Sequence, residues 1–302
     1  MQSLTRTELR HLLGLAPPRM PAWTEGTNSV EGDLRIRTYA LGPAQIPAIS
    51  IALLTAQPGD PALLYCHAHG NAYGIGKSEV LEGRPALLDP PLAKVIARAG
   101  WTVFCADMPG FGARQSDGIE SALAKAALWR GRPLLGQMVD DQLMAIDALT
   151  EIARPSRLAT LGISMGGTLA YLIAALRDEI SLLAHLCVFA DIAPLIETGA
   201  HDLHGPYMTI PGLLPTHDMG DIAALVAPRR HLVATGGADP LTPDSAYDPA
   251  VGRLIEAYKD HADRLTIVRD PNAGHQETLG MRKAVLSFLA AGHSSRKPAE
   301  DA

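Results

Sequence analysis

No surplus of positive charge marks this sequence. Lys and Arg total 26 against 32 Asp and Glu, for a net charge of −6 at pH 7, and no cluster of basic residues stands out. Such a chain has no electrostatic field to track a phosphate backbone, so nucleic acid is excluded as the expected partner. Long apolar runs are also missing. Nowhere do about 18 apolar residues run together, as a membrane helix requires, and the opening "MQSLTRTELRHLLGLAPPR" holds no continuous apolar stretch of the kind that marks a secretory leader. The expectation is a soluble, cytoplasmic protein with no membrane partner. Cysteine is scarce. Cys66, Cys105 and Cys187 each lie in an apolar, strand-like run, too far apart for a C-x-x-C metal or redox motif. They read as buried reduced thiols.

Apolar residues, by contrast, are plentiful. They make up 47% of the 302 residues, with 19% charged, enough for a large core and too much for disorder. Thr5 to Glu8 reads as a capping box opening a short helix that ends near Gly14, and "APPRMPAW" then breaks it. Residues 1–33 are expected to be an N-terminal arm. "LRIRTYALG" and "PAISIALLTAQ" alternate polar with apolar residues and predict a first antiparallel pair. Six nearly continuous apolar runs follow, at 62–68, 101–107, 157–164, 182–190, 231–237 and 265–270, as for strands covered on both faces. Helical stretches separate them. This rhythm predicts an α/β fold with a mostly parallel central sheet and helices on both faces. Two irregular stretches, 111–135 and 191–218, interrupt it, and the second is expected to be an inserted lid or rim. The domain is expected to span 34–292, with a tail at 293–302.

"GISMGG" places Ser164 between an apolar strand and an apolar helix, with Gly162 and Gly166 two residues to either side. A G-x-S-x-G nucleophile elbow needs this context, because so sharp a turn leaves no room for bulk at those two positions. The helix dipole and the Met165 N–H are then placed to stabilise an oxyanion. A serine alcohol needs a general base, and the base needs a carboxylate to hold its tautomer. Asp239 stands just past the run "HLVATGG" and His275 just past the last run. Serine, acid and histidine in that chain order, each at the end of a successive strand, is the order of α/β-hydrolases. Two other aspartates compete for the acid's role: Asp191 follows "LLAHLCVFA" and Asp270 precedes the histidine loop.

Over residues 45–292 the chain resembles the α/β-hydrolase superfamily, and within it the dienelactone-hydrolase-like and acetyl-xylan-esterase-like branch. "HAHGN", "GIGKSE", "ADMPGFGAR", "GISMGG", "HGPYMTIPGLL", "DIAALVAPRRHLVATGGADPLTP" and "AGHQET" carry the resemblance. It implies the α/β-hydrolase fold, hydrolysis of small or short-acyl carboxylic esters, and no cofactor. It maps the nucleophile, acid and base onto Ser164, Asp239 and His275, and a second oxyanion N–H onto Asn71. Serine replaces the cysteine nucleophile of dienelactone hydrolases proper, which favours ordinary esters over lactones. A serine peptidase or amidase on the same fold is the alternative, because the triad does not separate amide from ester. A catalytically silent binding module is a third reading.

A rival chemistry starts at the same loop. "NAYGIGKS", residues 71–78, misses a phosphate-binding P-loop by one residue, and "VFCAD" imitates the strand and aspartate that accompany one. A P-loop must run directly into a long helix, and Gly83 and Pro85 interrupt any helix after Ser78. The oxyanion turn is therefore the expected role. His67 and His69 form an H-x-H pair with no third ligand nearby, so no metal is expected. Tyr207, Met208 and Trp129 are candidate walls of the substrate pocket, and His201, His204 and His217 sit in the rim.

Overall fold

The structure, a computed structural model, describes residues 3–17, 20 and 22–291. The tail expected at 293–302 lies outside them. Helix α1 (Arg6–Leu12) starts where the Thr5 hydroxyl accepts the Glu8 N–H at 3.2 Å. Strands β1 (Trp23–Glu31), β2 (Leu34–Leu41) and β3 (Ile46–Leu53) then meander antiparallel. The remainder alternates. It runs β4 (Ala62–Cys66), α2 (Glu79–Glu82), α3 (Leu92–Arg98), β5 (Thr102–Ala106), α4 (Glu120–Trp129), α5 (Leu134–Ala153), β6 (Leu158–Ile163) and α6 (Met165–Leu176). It closes with β7 (Ile180–Leu186), α7 (Ile192–Thr198), α8 (Met219–Ala224), β8 (Arg230–Gly236), α9 (Asp244–Ala257), β9 (Leu265–Asp270) and α10 (Leu279–Ala290). None of these helices is long and apolar enough to cross a membrane.

All nine strands form one sheet in the order β1-β2-β3-β5-β4-β6-β7-β8-β9, parallel from β5 to β9. Alternation along β4 shows how the layers form. Ala62, Leu64 and Cys66 face a core shared with α5, α6, α8 and α9, while Leu63 and Tyr65 face the core under α3 and α10. Both sides of the central strands are buried, which is why they read as unbroken apolar runs.

Two segments differ from expectation. Residues 23–31 lie in the expected arm yet form the edge strand β1. "WTEGTNSVE" is polar and exposed along nearly its whole length, so no alternation announces it. The stretch 111–135 is not irregular throughout: a 3₁₀ turn at Gly112–Asp117 precedes the ten-residue α4. Its alanine-rich start carries no side-chain cap, so the usual opening signal is missing. The rim, 191–218, holds α7 and two short 3₁₀ turns.

Candidate active site

The C-terminal ends of β6, β8 and β9 lie along one edge of the sheet, where ligands of open α/β sheets bind. At the end of β6 the chain reverses into α6 through Ser164, whose φ of 56° and ψ of −126° are strained for a residue with a side chain. The surroundings enforce that strain. Ser164 N–H donates to the Leu186 carbonyl at 2.9 Å, and the Gly167 N–H donates back to the Ser164 carbonyl at 2.8 Å. A Cβ on Gly162 would overlap the Gly166 backbone, and one on Gly166 would overlap the Cys66 carbonyl at the end of β4.

The hydroxyl raised by this turn meets a histidine and an aspartate. His275 Nε2 lies 2.9 Å from Ser164 Oγ, and His275 Nδ1 lies 2.8 Å from Asp239 Oδ2. The other oxygen, Asp239 Oδ1, accepts the Leu241 N–H at 2.9 Å, and the residue is only 2% exposed. A carboxylate only accepts, so the imidazole proton belongs on Nδ1 and leaves Nε2 free to take the serine proton. Neither competing aspartate is bonded to His275. Asp191 Oδ1 accepts the Gly220 N–H at 2.8 Å and Oδ2 pairs with Arg253, tying the rim to α8 and α9. Asp270 Oδ1 accepts the Asn272 N–H within its own turn at 3.2 Å.

The two expected oxyanion donors differ. Met165 N–H, at the first position of α6, donates to no acceptor among the described residues. The Asn71 N–H is engaged: with Gly70 and Asn71 at φ 52° and 51°, it turns back onto His69 Nδ1 at 3.0 Å. His69 Nε2 lies 2.6 Å from Glu120 Oε2 on α4. The same buried carboxylate accepts from the Tyr73 hydroxyl at 2.9 Å and the Tyr207 N–H at 3.0 Å. Burial pushes Glu120 up, but the bonds from His69, Tyr207 and Tyr73 outweigh it and hold the carboxyl below its ordinary value. The Tyr73 hydroxyl is pushed up to about 12 by burial and by that carboxylate. Sequence reasoning missed Glu120 altogether, although it ties the 69–73 loop to the rim. Its position at the start of the alanine-rich "ESALAKAALW" was the only signal available.

The loop that imitates a P-loop is fastened to the carboxylate of Asp107. After Ser78 it enters only the four-residue α2. Lys77 Nζ lies 2.8 Å from Asp107 Oδ2, the Lys77 N–H donates to Asp107 Oδ1 at 2.6 Å, and Ala113 N–H donates to Oδ2 at 3.0 Å. Buried Asp107 thus fastens two loops, and the lysine neutralises it. His67 is equally committed. Its Nε2 accepts the Met108 N–H at 3.1 Å, and its Nδ1 lies 3.1 Å from the Ala68 carbonyl.

The rim lines a cavity of about 450 Å³, apolar at Ile192, Met208, Ile210, Leu213 and Met219 and polar at His201, Asp202 and Thr209. His204 also lines it, and its Nε2 lies 3.1 Å from the Leu241 carbonyl. Burial lowers the His204 pKa, and the neighbouring His275 acts in the same direction. Of the three expected walls, Met208 lines this cavity. Tyr207 is buried behind it, stacked on His69 with ring centroids 5.7 Å apart. Trp129 is 87% exposed at the end of α4 and is not among the residues lining this cavity. As an apolar residue in a segment read as loop it looked like a wall; in α4 it falls on the outward side. His201 lines the cavity, whereas His217 is buried 3.5 Å from Glu8.

Residues 91–186 match the dienelactone hydrolase family. Across almost the whole chain, the protein is similar to "Putative hydrolase YtaP" of Bacillus subtilis (strain 168), with 34% identity over 96% of this chain and 99% of that one. Among solved structures, an acetyl xylan esterase from Paenibacillus sp. R4 superposes with a TM-score of 0.66 at 18% identity, over 95% of this chain and 92% of that one. A glucuronoyl esterase from Solibacter usitatus gives a TM-score of 0.67 at 12% identity, over 94% and 90% of the two chains. The fold of these structures and the full-length relative agree with the elbow and its strand-end partners: the chain belongs to the dienelactone hydrolase family of α/β-hydrolases.

Proposed function

We propose that the protein is a carboxylic ester hydrolase acting on short-acyl esters through an acyl-enzyme intermediate. Ser164 Oγ attacks the ester carbonyl while His275 Nε2 takes its proton. Asp239 holds the imidazole and stabilises the imidazolium that forms. The Met165 N–H supports the negative oxygen of the tetrahedral intermediate. The Asn71 N–H joins it when the incoming oxygen draws that N–H away from His69 Nδ1. His275 then gives its proton to the leaving alcohol, and water activated by the same ring hydrolyses the acyl-enzyme.

A single observation carries this reading: the unbroken contact chain Ser164 Oγ to His275 Nε2 at 2.9 Å and His275 Nδ1 to Asp239 Oδ2 at 2.8 Å, mounted on a strained strand-to-helix turn. The decisive experiment compares the wild type with Ser164→Ala, using a fluorophosphonate probe and a short-acyl ester. The expected result is loss of labelling together with a fall in kcat of about 10⁴–10⁶. Full labelling of the alanine variant would refute the assignment.

A further inference from the structure

We propose that the cavity under the rim binds the alcohol half of the substrate, and that this half is an apolar group well beyond methyl in size. The inference rests on the hydrolase reading and adds to it which side of the ester bond is recognised by size. Three observations lead there.

The cavity is large and much of its wall is apolar. At about 450 Å³ it falls within the range of small-molecule sites, roughly 300–1,000 Å³. Ile192, Met208, Ile210, Leu213 and Met219 carry no charge, while Asp202 brings a carboxylate to the lining, so an alkyl or aryl group gains by leaving water against the apolar five.

Next, the cavity adjoins the acid–base side of the site. His204 forms part of its lining and contacts the Leu241 carbonyl at 3.1 Å, while the Leu241 N–H is held by Asp239 at 2.9 Å. The wall of the cavity is thereby fastened to the carboxylate that holds His275.

Finally, the chemistry assigns the two halves of an ester to different sides of Ser164. The oxygen that departs must lie within reach of His275 Nε2, because that atom returns the proton to it. In this step the C–O bond to the alcohol breaks, the electron pair of that bond stays on the departing oxygen, and the proton from His275 Nε2 completes the alcohol. The acyl carbon remains on Ser164 Oγ with its oxygen toward the Met165 N–H. A cavity on the histidine–aspartate side therefore receives the alcohol, and a small acyl group remains at the elbow.

Hexyl acetate and methyl heptanoate test this directly, because they are isomers that carry the same alkyl bulk on opposite sides of the ester. Each buried methylene contributes up to about fourfold in binding, so the wild type is expected to prefer hexyl acetate in kcat/KM by at least about tenfold. Ile192→Trp fills the cavity and is expected to reduce that preference at least about tenfold. Leu213→Ala enlarges it and is expected to raise decyl acetate relative to hexyl acetate, which gives a second reading should the tryptophan variant fail to fold. A preference for methyl heptanoate would overturn the proposal by moving the cavity to the acyl side. Equal selectivity in the wild type and both variants would overturn it too. If no ester, methyl acetate included, is turned over and Ser164 takes no fluorophosphonate, the hydrolase reading itself falls and this inference falls with it.

Discussion

Replacing Asp239 with asparagine changes one atom and should nearly silence the enzyme, for a reason visible in the surroundings of the side chain. The Leu241 N–H donates to Asp239 Oδ1 at 2.9 Å, and His275 Nδ1 lies at Oδ2, 2.8 Å away. An asparagine keeps its single oxygen toward the Leu241 N–H, because an NH₂ there would set donor against donor. The NH₂ then faces His275 Nδ1. That nitrogen must become an acceptor, so the ring proton moves to Nε2. The nitrogen facing Ser164 Oγ at 2.9 Å is then a donor and cannot take the serine proton. The expected fall in kcat is about 10⁴, or about 5.5 kcal/mol in the barrier, with KM little changed. Asp191→Asn supplies the contrast. Asp191 holds the Gly220 N–H and Arg253, whose side chain is 41% exposed. Losing the charge should lower stability by about 1 kcal/mol and leave kcat within a few-fold. Steady-state ester hydrolysis and urea unfolding of both variants decide the matter. A dead Asp191 variant beside an active Asp239 variant would refute the assignment of the acid. Two active variants would refute the argument that the acid works by fixing the tautomer.

Two further outcomes follow from other parts of the fold. Lys77→Ala should change kcat by less than about tenfold, because a loop backbone N–H rather than this side chain serves the chemistry. Its melting temperature should fall, since buried Asp107 loses its counter-charge, and ATPase activity that vanishes with the lysine would reverse the reading of the loop. The second concerns acid. His185 and His231 are buried on β7 and β8 with their Nε2 atoms 2.8 Å apart, and burial pushes His185 down to about 3 and His231 well below its ordinary value. A lowered folded-state pKa means the unfolded chain takes up the proton first. The contribution to stability is therefore complete above about pH 6.5 and is lost as the pH falls below it, at up to about 1.4 kcal/mol per pH unit for each ring. Urea midpoints between pH 7 and 4 should show this slope, and a His185→Phe/His231→Leu double variant should flatten it. An unchanged slope would refute the assignment.

The serine, the aspartate and the histidine of the candidate site were legible because the fold advertises strand ends. A strand buried on both faces must be an unbroken apolar run, so its last residue can be located within one or two positions. Ser164, Asp239 and His275 each follow such an end, and the structure joins their side chains in one hydrogen-bonded chain. The elbow was legible for a steric reason, since Gly162 and Gly166 sit where any Cβ would meet backbone. What stayed hidden depends on contacts between residues far apart in sequence. β1 is an edge strand exposed on both faces, so its nine residues carry no alternation, only polar composition. Glu120 has its role through partners 51 positions before it and 87 after it, His69 and Tyr207, and no local pattern records such a meeting.

Asn71 shows where the two kinds of information join. "HGN" after a strand marks a turn whose N–H groups point away from the sheet, but not which acceptor that N–H chooses. The choice is set by the ring two residues earlier. Glu120 accepts the hydrogen bond of His69 Nε2–H at 2.6 Å, which leaves Nδ1 as an acceptor for the Asn71 N–H at 3.0 Å. A helix that the sequence did not announce thus determines the state of the loop that it did. A substrate oxygen that recruits the Asn71 N–H must compete with His69, whereas the Met165 N–H has no acceptor among the described residues. On the proposed mechanism the elbow would supply the standing part of an oxyanion site, and the β4 loop would supply a part completed only when negative charge develops, which is when such a contact accelerates a reaction.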